Sequence, residues 1–202
     1  MQPNILIVMV DQLAGTFFPD GPSPFLHAPN LARLAQESVE VPGPAADRLG
    51  DVAREHGVWL VTGVTEIDPE RPGTLYNTLL YHDPEGRLAL HHRKLVPTGA
   101  ERLIWGQGDA SDVAVIDTDL GRVGMAICWE NYMPLARFAL YESGSELSVA
   151  STSDDSDALQ ATLIHIALES RAFVIAPCHF QRADAYPEDF PLRDALDGVE
   201  II

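Results

Sequence analysis

The amino-acid sequence predicts an α/β protein with a mixed sheet, on three observations. Continuous apolar, β-branched runs recur along the chain, from Asn4 to Val10 near one end to Phe173 to Pro177 near the other, and such runs read as buried strands. Between them lie segments with apolar residues at helical spacing, such as Leu159, Leu163, Ile166 and Ala167. The Asp83-Pro-Glu-Gly-Arg87 turn joins two strand patterns directly, which makes them antiparallel neighbours and excludes a purely doubly wound sheet.

Composition narrows the classes. The chain has 202 residues, room for one domain with a sizeable core, and 46% hydrophobic with 21% charged residues is ordinary for a globular protein. A net charge of -17 argues against nucleic-acid binding and against an anionic membrane surface. Two cysteines far apart form no disulfide framework, which favours a reducing compartment. No apolar run approaches the roughly 20 residues of a membrane span. The N-terminus lacks a basic stretch, and Asp11 interrupts its apolar run, so no signal peptide is expected. The expected location is the cytoplasm.

Taken in order, Asn4 to Val10 is a strand with Asp11 and Gln12 at its C-terminal edge, followed by a Gly- and Pro-rich loop from Gly15 to Pro29 and a short helix from about Asn30 to Gln36. Ala46 to His56 is an amphipathic helix with Gly57 as its cap. Strands follow at Val58 to Val64, Leu75 to Tyr81, Leu88 to Leu95, Val113 to Asp117 and Arg122 to Cys128. A helix from about Met133 to Ser143, a strand from Glu146 to Ala150, a helix from Asp157 to Arg171 and the strand from Phe173 to Pro177 complete the pattern. The tail from Gln181 to Ile202 is acidic and weakly patterned.

The run Val123 to Ile127 stops at Cys128 and a helical pattern follows. A thiol at such a strand-to-helix turn is where helix N-terminal amides favour a thiolate. The local pattern alone leaves two readings open, a partly exposed nucleophile and a core cysteine; the strand-to-helix position together with the neighbouring Lys94 makes a reactive, partly exposed thiol the expectation. Cys178 has no comparable context and reads as core. Lys94 also stands at a strand end, before Pro97; a solvated surface lysine is the plain alternative, but beside a cysteine it would favour the thiolate and hold a developing anion. Glu101 and Glu130 are candidates for orienting Lys94 or moving protons. His91, His92 and His165 have a spacing that matches no standard metal site, and no metal or other cofactor is expected.

Two resemblances emerge. Pro-Asn-Ile-Leu-Ile-Val-Met-Val-Asp-Gln, Phe-Pro-Asp-Gly-Pro and Leu-His-Ala-Pro-Asn-Leu resemble the start of sulfatases, choline sulfatase in particular. That likeness would map a metal-site pair to Asp11 and Gln12. It covers about forty residues, and the sulfatase Cys-x-Pro-Ser-Arg motif is not in the chain, which argues against a sulfatase fragment. His92-Arg-Lys-Leu, Pro97-Thr, Glu101-Arg-Leu-Ile-Trp-Gly-Gln-Gly-Asp and Ile127-Cys-Trp-Glu-Asn-Tyr-Met-Pro-Leu-Ala-Arg resemble the nitrile-hydrolysing branch of the nitrilase family. Gly73-Thr-Leu-Tyr-Asn-Thr-Leu, Gln160-Ala-Thr and His165-Ile-Ala-Leu-Glu add to this likeness, which spans about Ser38 to Pro191.

The second resemblance implies an α-β-β-α sandwich and a hydrolase acting on a small nitrile or amide. Cys128 would be the nucleophile, Lys94 the stabiliser of the anion and Glu101 the supporting glutamate. Trp129, Glu130 and Asn131 would have supporting or substrate-binding roles, and a homo-oligomer is expected. The family's base, a Glu in a Phe-Pro-Glu segment, would lie upstream of the resemblance, where Phe18-Pro19-Asp20 stands. The expectation is therefore a sulfatase-like segment over 1–37 and a carbon–nitrogen hydrolase domain over 38–202, lacking the family's first strands and its C-terminal strands. Its nitrile hydrolysis would be impaired; a non-catalytic fragment or fusion remnant is the alternative.

Overall fold

A computed structural model describes residues 4–8, 38–71 and 73–178. Two sheets face each other. The first takes β1 (Asn4–Val8), β2 (Val39–Glu40), β3 (Val58–Ile67), β4 (Leu75–His82) and β5 (Leu88–Arg93). Strands β3, β4 and β5 form an antiparallel meander, while β1 and β2 both pair parallel to β3, opposite different parts of it. The second sheet has the order β6 (Val115–Thr118), β7 (Gly121–Ile127), β8 (Leu147–Ser151) and β9 (Phe173–Ile175). Its first pair is antiparallel and the other two are parallel.

The period-2 alternation of strands explains the layers. Trp59, Val61, Leu79 and Tyr81 of the first sheet meet Val123, Met125, Ile127 and Val149 of the second in one buried cluster. Their neighbours point the other way. Leu60 and Val58 pack on Ala53 of helix α1 (Pro44–His56), and Leu80 on its Ala46. Ala150 packs on Leu159, Leu163 and Ile166 of helix α3 (Asp157–Ser170). Helix α2 (Pro134–Glu142) lies between β7 and β8 in the chain. The result is an α-β-β-α arrangement, and no helix among the described residues is long and apolar enough to cross a membrane.

Most expected elements are present with shifted ends. Helix α1 closes on Gly57 in the left-handed region, its amide donating to Ala53 and Arg54 carbonyls, and Ser156 caps α3 by accepting from the Leu159 amide at 3.2 Å. The first strand is described over Asn4–Val8, and β5 ends at Arg93 because the chain turns into a separately bonded segment there. The expected loop 15–29, helix 30–36 and tail 181–202 lie outside the described residues, as do Asp11, Gln12 and Asp20.

Helix α1 approaches the β4–β5 turn closely. A Cβ on Gly50 would stand 2.3 Å from the Gly86 carbonyl oxygen, a backbone atom that cannot rotate away. Gly50→Ala is expected to destabilise the fold by about 2 kcal/mol, read as a lower urea midpoint at unchanged slope. An unchanged midpoint would mean that the helix does not seat on this turn.

Candidate active site

The site lies at one end of the sandwich, where β5 and β7 both stop. Past Arg93 the chain leaves the sheet ladder, and its amides and carbonyls need other partners. The Lys94 amide donates to the Asn77 carbonyl at 2.8 Å, and the Lys94 carbonyl accepts from Gly108 at 2.9 Å. Only glycine fits at 108, since a Cβ there would meet the Arg93 carbonyl oxygen at 2.4 Å. Trp105 and Gly106 stitch the same segment to β4 through Leu75.

The Lys94 side chain is wholly buried and its Nζ donates to Glu101 Oε2 at 2.7 Å. Lys94 is thus no surface lysine. The same carboxylate oxygen accepts from the Thr98 amide at 2.6 Å, which fixes Glu101 on the 3-10 turn Gly99–Leu103. Arg93, on the opposite face of the strand, donates to the buried Glu66, and so does His91 or its tautomer. Thr78 donates to Glu66 as well, at 2.7 Å. Burial opposes the charge on Glu66, and these donors outweigh it to hold the carboxyl below its usual range.

Cys128 opens a 3-10 turn, Cys128–Tyr132. Two sequence expectations are corrected here. The thiol residue is buried, with 6% of its surface exposed, because it packs with the inter-sheet cluster of Val123, Met125 and Ile127. It also precedes helix α2 by a full turn, so the amides at that helix's N-terminus are not its immediate neighbours. Its backbone has φ of 51°, a left-handed conformation that costs a non-glycine residue on the order of 1–3 kcal/mol. Asn131 holds it there by donating from Nδ2 to the Cys128 carbonyl at 2.8 Å, and Arg137 in turn grips the Asn131 carbonyl. Cys178, expected in the core, is exposed, since β9 ends at Ile175.

Glu130 joins the two strand ends. Its side chain is almost completely buried. Oε1 accepts from the Leu95 amide at 2.6 Å, and Oε2 from the Ile127 amide at 2.5 Å. His92 Nε2 lies 2.9 Å from Oε2 of the same carboxylate. Glu130 thus binds the backbone next to Lys94 and the backbone next to Cys128. His92 Nδ1 meets Asp112 Oδ1 at 2.9 Å, and Asp112 Oδ2 takes the Arg93 amide. Burial opposes charge on His92, but hydrogen bonds to Asp112 and Glu130 prevail and push its pKa up to about 9.

Trp129, by contrast, is half exposed and stacks obliquely on Tyr132. His165 sits on the surface facing Glu169 at 3.5 Å. Among the described residues no group of three or more His, Cys, Asp and Glu is placed to hold a metal ion. Sequence reasoning missed Asp112, Glu66 and Gly108, and set His92 aside as a weak metal ligand. No local pattern marks an aspartate twenty residues away as the partner of His92.

The carbon–nitrogen hydrolase family profile matches residues 16–192. That match starts upstream of Ser38, within the stretch that resembles choline sulfatase. Nitrilase 1 of Arabidopsis thaliana is 46% identical over 165 residues, 81% of this chain and 47% of that protein. The aliphatic nitrilase of Sinorhizobium fredii is 49% identical over 164 residues, 80% of this chain and 52% of that protein. The chain spans about half the length of the curated relatives it matches. Among solved structures, Nit3 of Saccharomyces cerevisiae aligns with a TM-score of 0.63 at 19% identity, covering 72% of this chain and 55% of that one. The C. elegans NitFhit protein gives 0.62 at 22%, covering 77% and 40%. These likenesses show the shared α/β fold.

The Lys94–Glu101 pair yields a prediction. Removing one partner of a buried ion pair strands the other charge, so Glu101→Ala is expected to destabilise the fold by about 3 kcal/mol. Lys94→Met combined with Glu101→Ala should regain part of that loss, because no charge is then left buried. Both are read by urea denaturation; equal loss in the single and double variants would show that the ammonium is not buried.

Proposed function

For a chain that belongs to the carbon–nitrogen hydrolase family, as this one does, we propose nitrilase-type chemistry at Cys128, with Lys94 and Glu101 as its partners. The observation that carries the proposal is the buried Lys94 ammonium on Glu101, set on a strand end that shares the Glu130 carboxylate with the residue before Cys128. A cation without water around it stabilises a developing anion far more than a solvated one. The curated relatives named above are nitrilases, which favours a nitrile over an amide.

In this reading the Cys128 thiolate adds to the nitrile carbon and the nitrile nitrogen takes a proton, giving a thioimidate. Lys94 faces the negative nitrogen as it forms, and the amides of Cys128 and Trp129 help to hold it. Water adds to the same carbon and ammonia leaves, giving a thioester. A second water cleaves the thioester, releasing the carboxylic acid and the thiol. Glu101 keeps Lys94 in place. No cofactor enters.

Both waters and the thiol need a base. The Phe-Pro-Glu segment that the family resemblance calls for is replaced in this sequence by Phe18-Pro19-Asp20. A positioned base contributes roughly 10²–10⁴-fold, so we propose that the chain turns nitriles over slowly. A non-catalytic remnant is the second reading.

Ammonia release from a panel of aliphatic and aromatic nitriles, beside Cys128→Ala, tests the proposal. The expected result is weak release that Cys128→Ala abolishes, with a trapped Cys128 adduct visible by mass spectrometry. Absence of any adduct would leave the remnant reading. Robust turnover would sink the impairment, and Asp20→Asn would then show whether that carboxylate serves as base.

A further inference from the structure

His92 is the one imidazole at this end of the sandwich, among the described residues, with a carboxylate oxygen on each ring nitrogen. Nδ1 is 2.9 Å from Asp112 and Nε2 is 2.9 Å from Glu130. Both oxygens accept, and a neutral imidazole carries a single N–H, so a neutral ring would press a lone pair against one carboxylate. With both carboxylates ionised, this geometry selects the imidazolium. Each carboxylate also binds a backbone amide that matters: Asp112 takes Arg93, while Glu130 takes Leu95 and Ile127. Lys94 lies between two of those residues and Cys128 follows the third.

We propose that His92 is a positioning residue, a charged imidazole clamped between Asp112 and Glu130 that fixes Lys94 relative to the Cys128 turn. The inference rests on the pairing of Lys94 with Cys128 in the proposed function and adds how that pairing is held. His92 lies on β5 and Glu130 follows β7, so the clamp also bridges the two sheets. A chain of charge-assisted bonds is stronger than neutral ones and fixes direction. The other charged groups near it are committed elsewhere: Lys94 to Glu101, and Arg93 and His91 to Glu66.

The clamp has a pH signature. The folded ring titrates at about 9, against an ordinary value of about 6.5 in the unfolded chain. A raised folded value means that its stabilisation is complete below pH 6.5 and is lost as pH rises through 9.

The test uses the full chain carrying Cys178→Ser, so that iodoacetamide reports on Cys128. At pH 7, Lys94→Gln and His92→Gln are each expected to slow alkylation about tenfold. The double variant should be no slower than Lys94→Gln, because His92 acts through Lys94. A merely structural role would give additive losses. Slowing by Lys94→Gln without slowing by His92→Gln overturns the clamp and leaves the proposed function standing. No effect of Lys94→Gln overturns the Lys94–Cys128 pairing and the clamp with it. If His92→Gln does not fold, ring ¹⁵N shifts of the unsubstituted residue decide. Both nitrogens should stay protonated to about pH 9, with Asp112→Asn lowering that midpoint; a ring titrating near its ordinary value overturns the proposal.

Discussion

One carboxylate holds the two halves of this site together. Glu130 receives the amide that follows Lys94, the amide that precedes Cys128 and one nitrogen of His92. The sandwich core brings the sheets into contact through apolar packing, which is strong but non-directional. Packing alone would tolerate a slide of one sheet on the other. Three short hydrogen bonds to two oxygens 2.5–2.9 Å away do not. Leaving any of these donors buried and unpaired costs about 1–3 kcal/mol, so the strand ends and the carboxylate hold each other in a single arrangement.

The same logic runs outward from Glu130. Its negative charge is tolerable in a dry interior because His92 is positive, and His92 stays positive because Asp112 closes its other side. On the opposite face of β5, Arg93 answers the buried Glu66. A single strand end, His91 to Lys94, thus carries four cationic or ionisable side chains, each facing a carboxylate, with His91 and Arg93 sharing Glu66. The acidic balance of the chain is partly this local supply of acceptors. The strained Cys128 backbone fits the picture, since a left-handed cysteine persists only where its surroundings over-determine it.

Much of this was legible in the sequence. Strand patterns such as Val58 to Val64 and Leu75 to Tyr81 could be read from their apolar and β-branched content, and Gly57 marks a helix end by local chemistry. The strand-end placement of Lys94 and Cys128 could be read because an apolar run stops there. Exposure could not. Cys128 was expected to be partly open and Cys178 buried, yet the reverse holds, because burial depends on which sheet faces the strand end. The Asp112–His92–Glu130 bridge was invisible for the same reason: its members lie on a strand, a 3-10 turn and a loop, and how these meet is a tertiary fact.

The central claim is that Glu130 couples the Lys94 and Cys128 strand ends, and amide NMR with hydrogen exchange tests it directly. The Leu95 and Ile127 amides, at 2.6 and 2.5 Å from the carboxylate, should resonate far downfield and exchange slowly. In Glu130→Leu, which keeps the bulk but removes both acceptors, both signals should move upfield and lose protection together. If one amide kept its shift and protection while the other lost them, the two strand ends would be held independently and the account would be wrong.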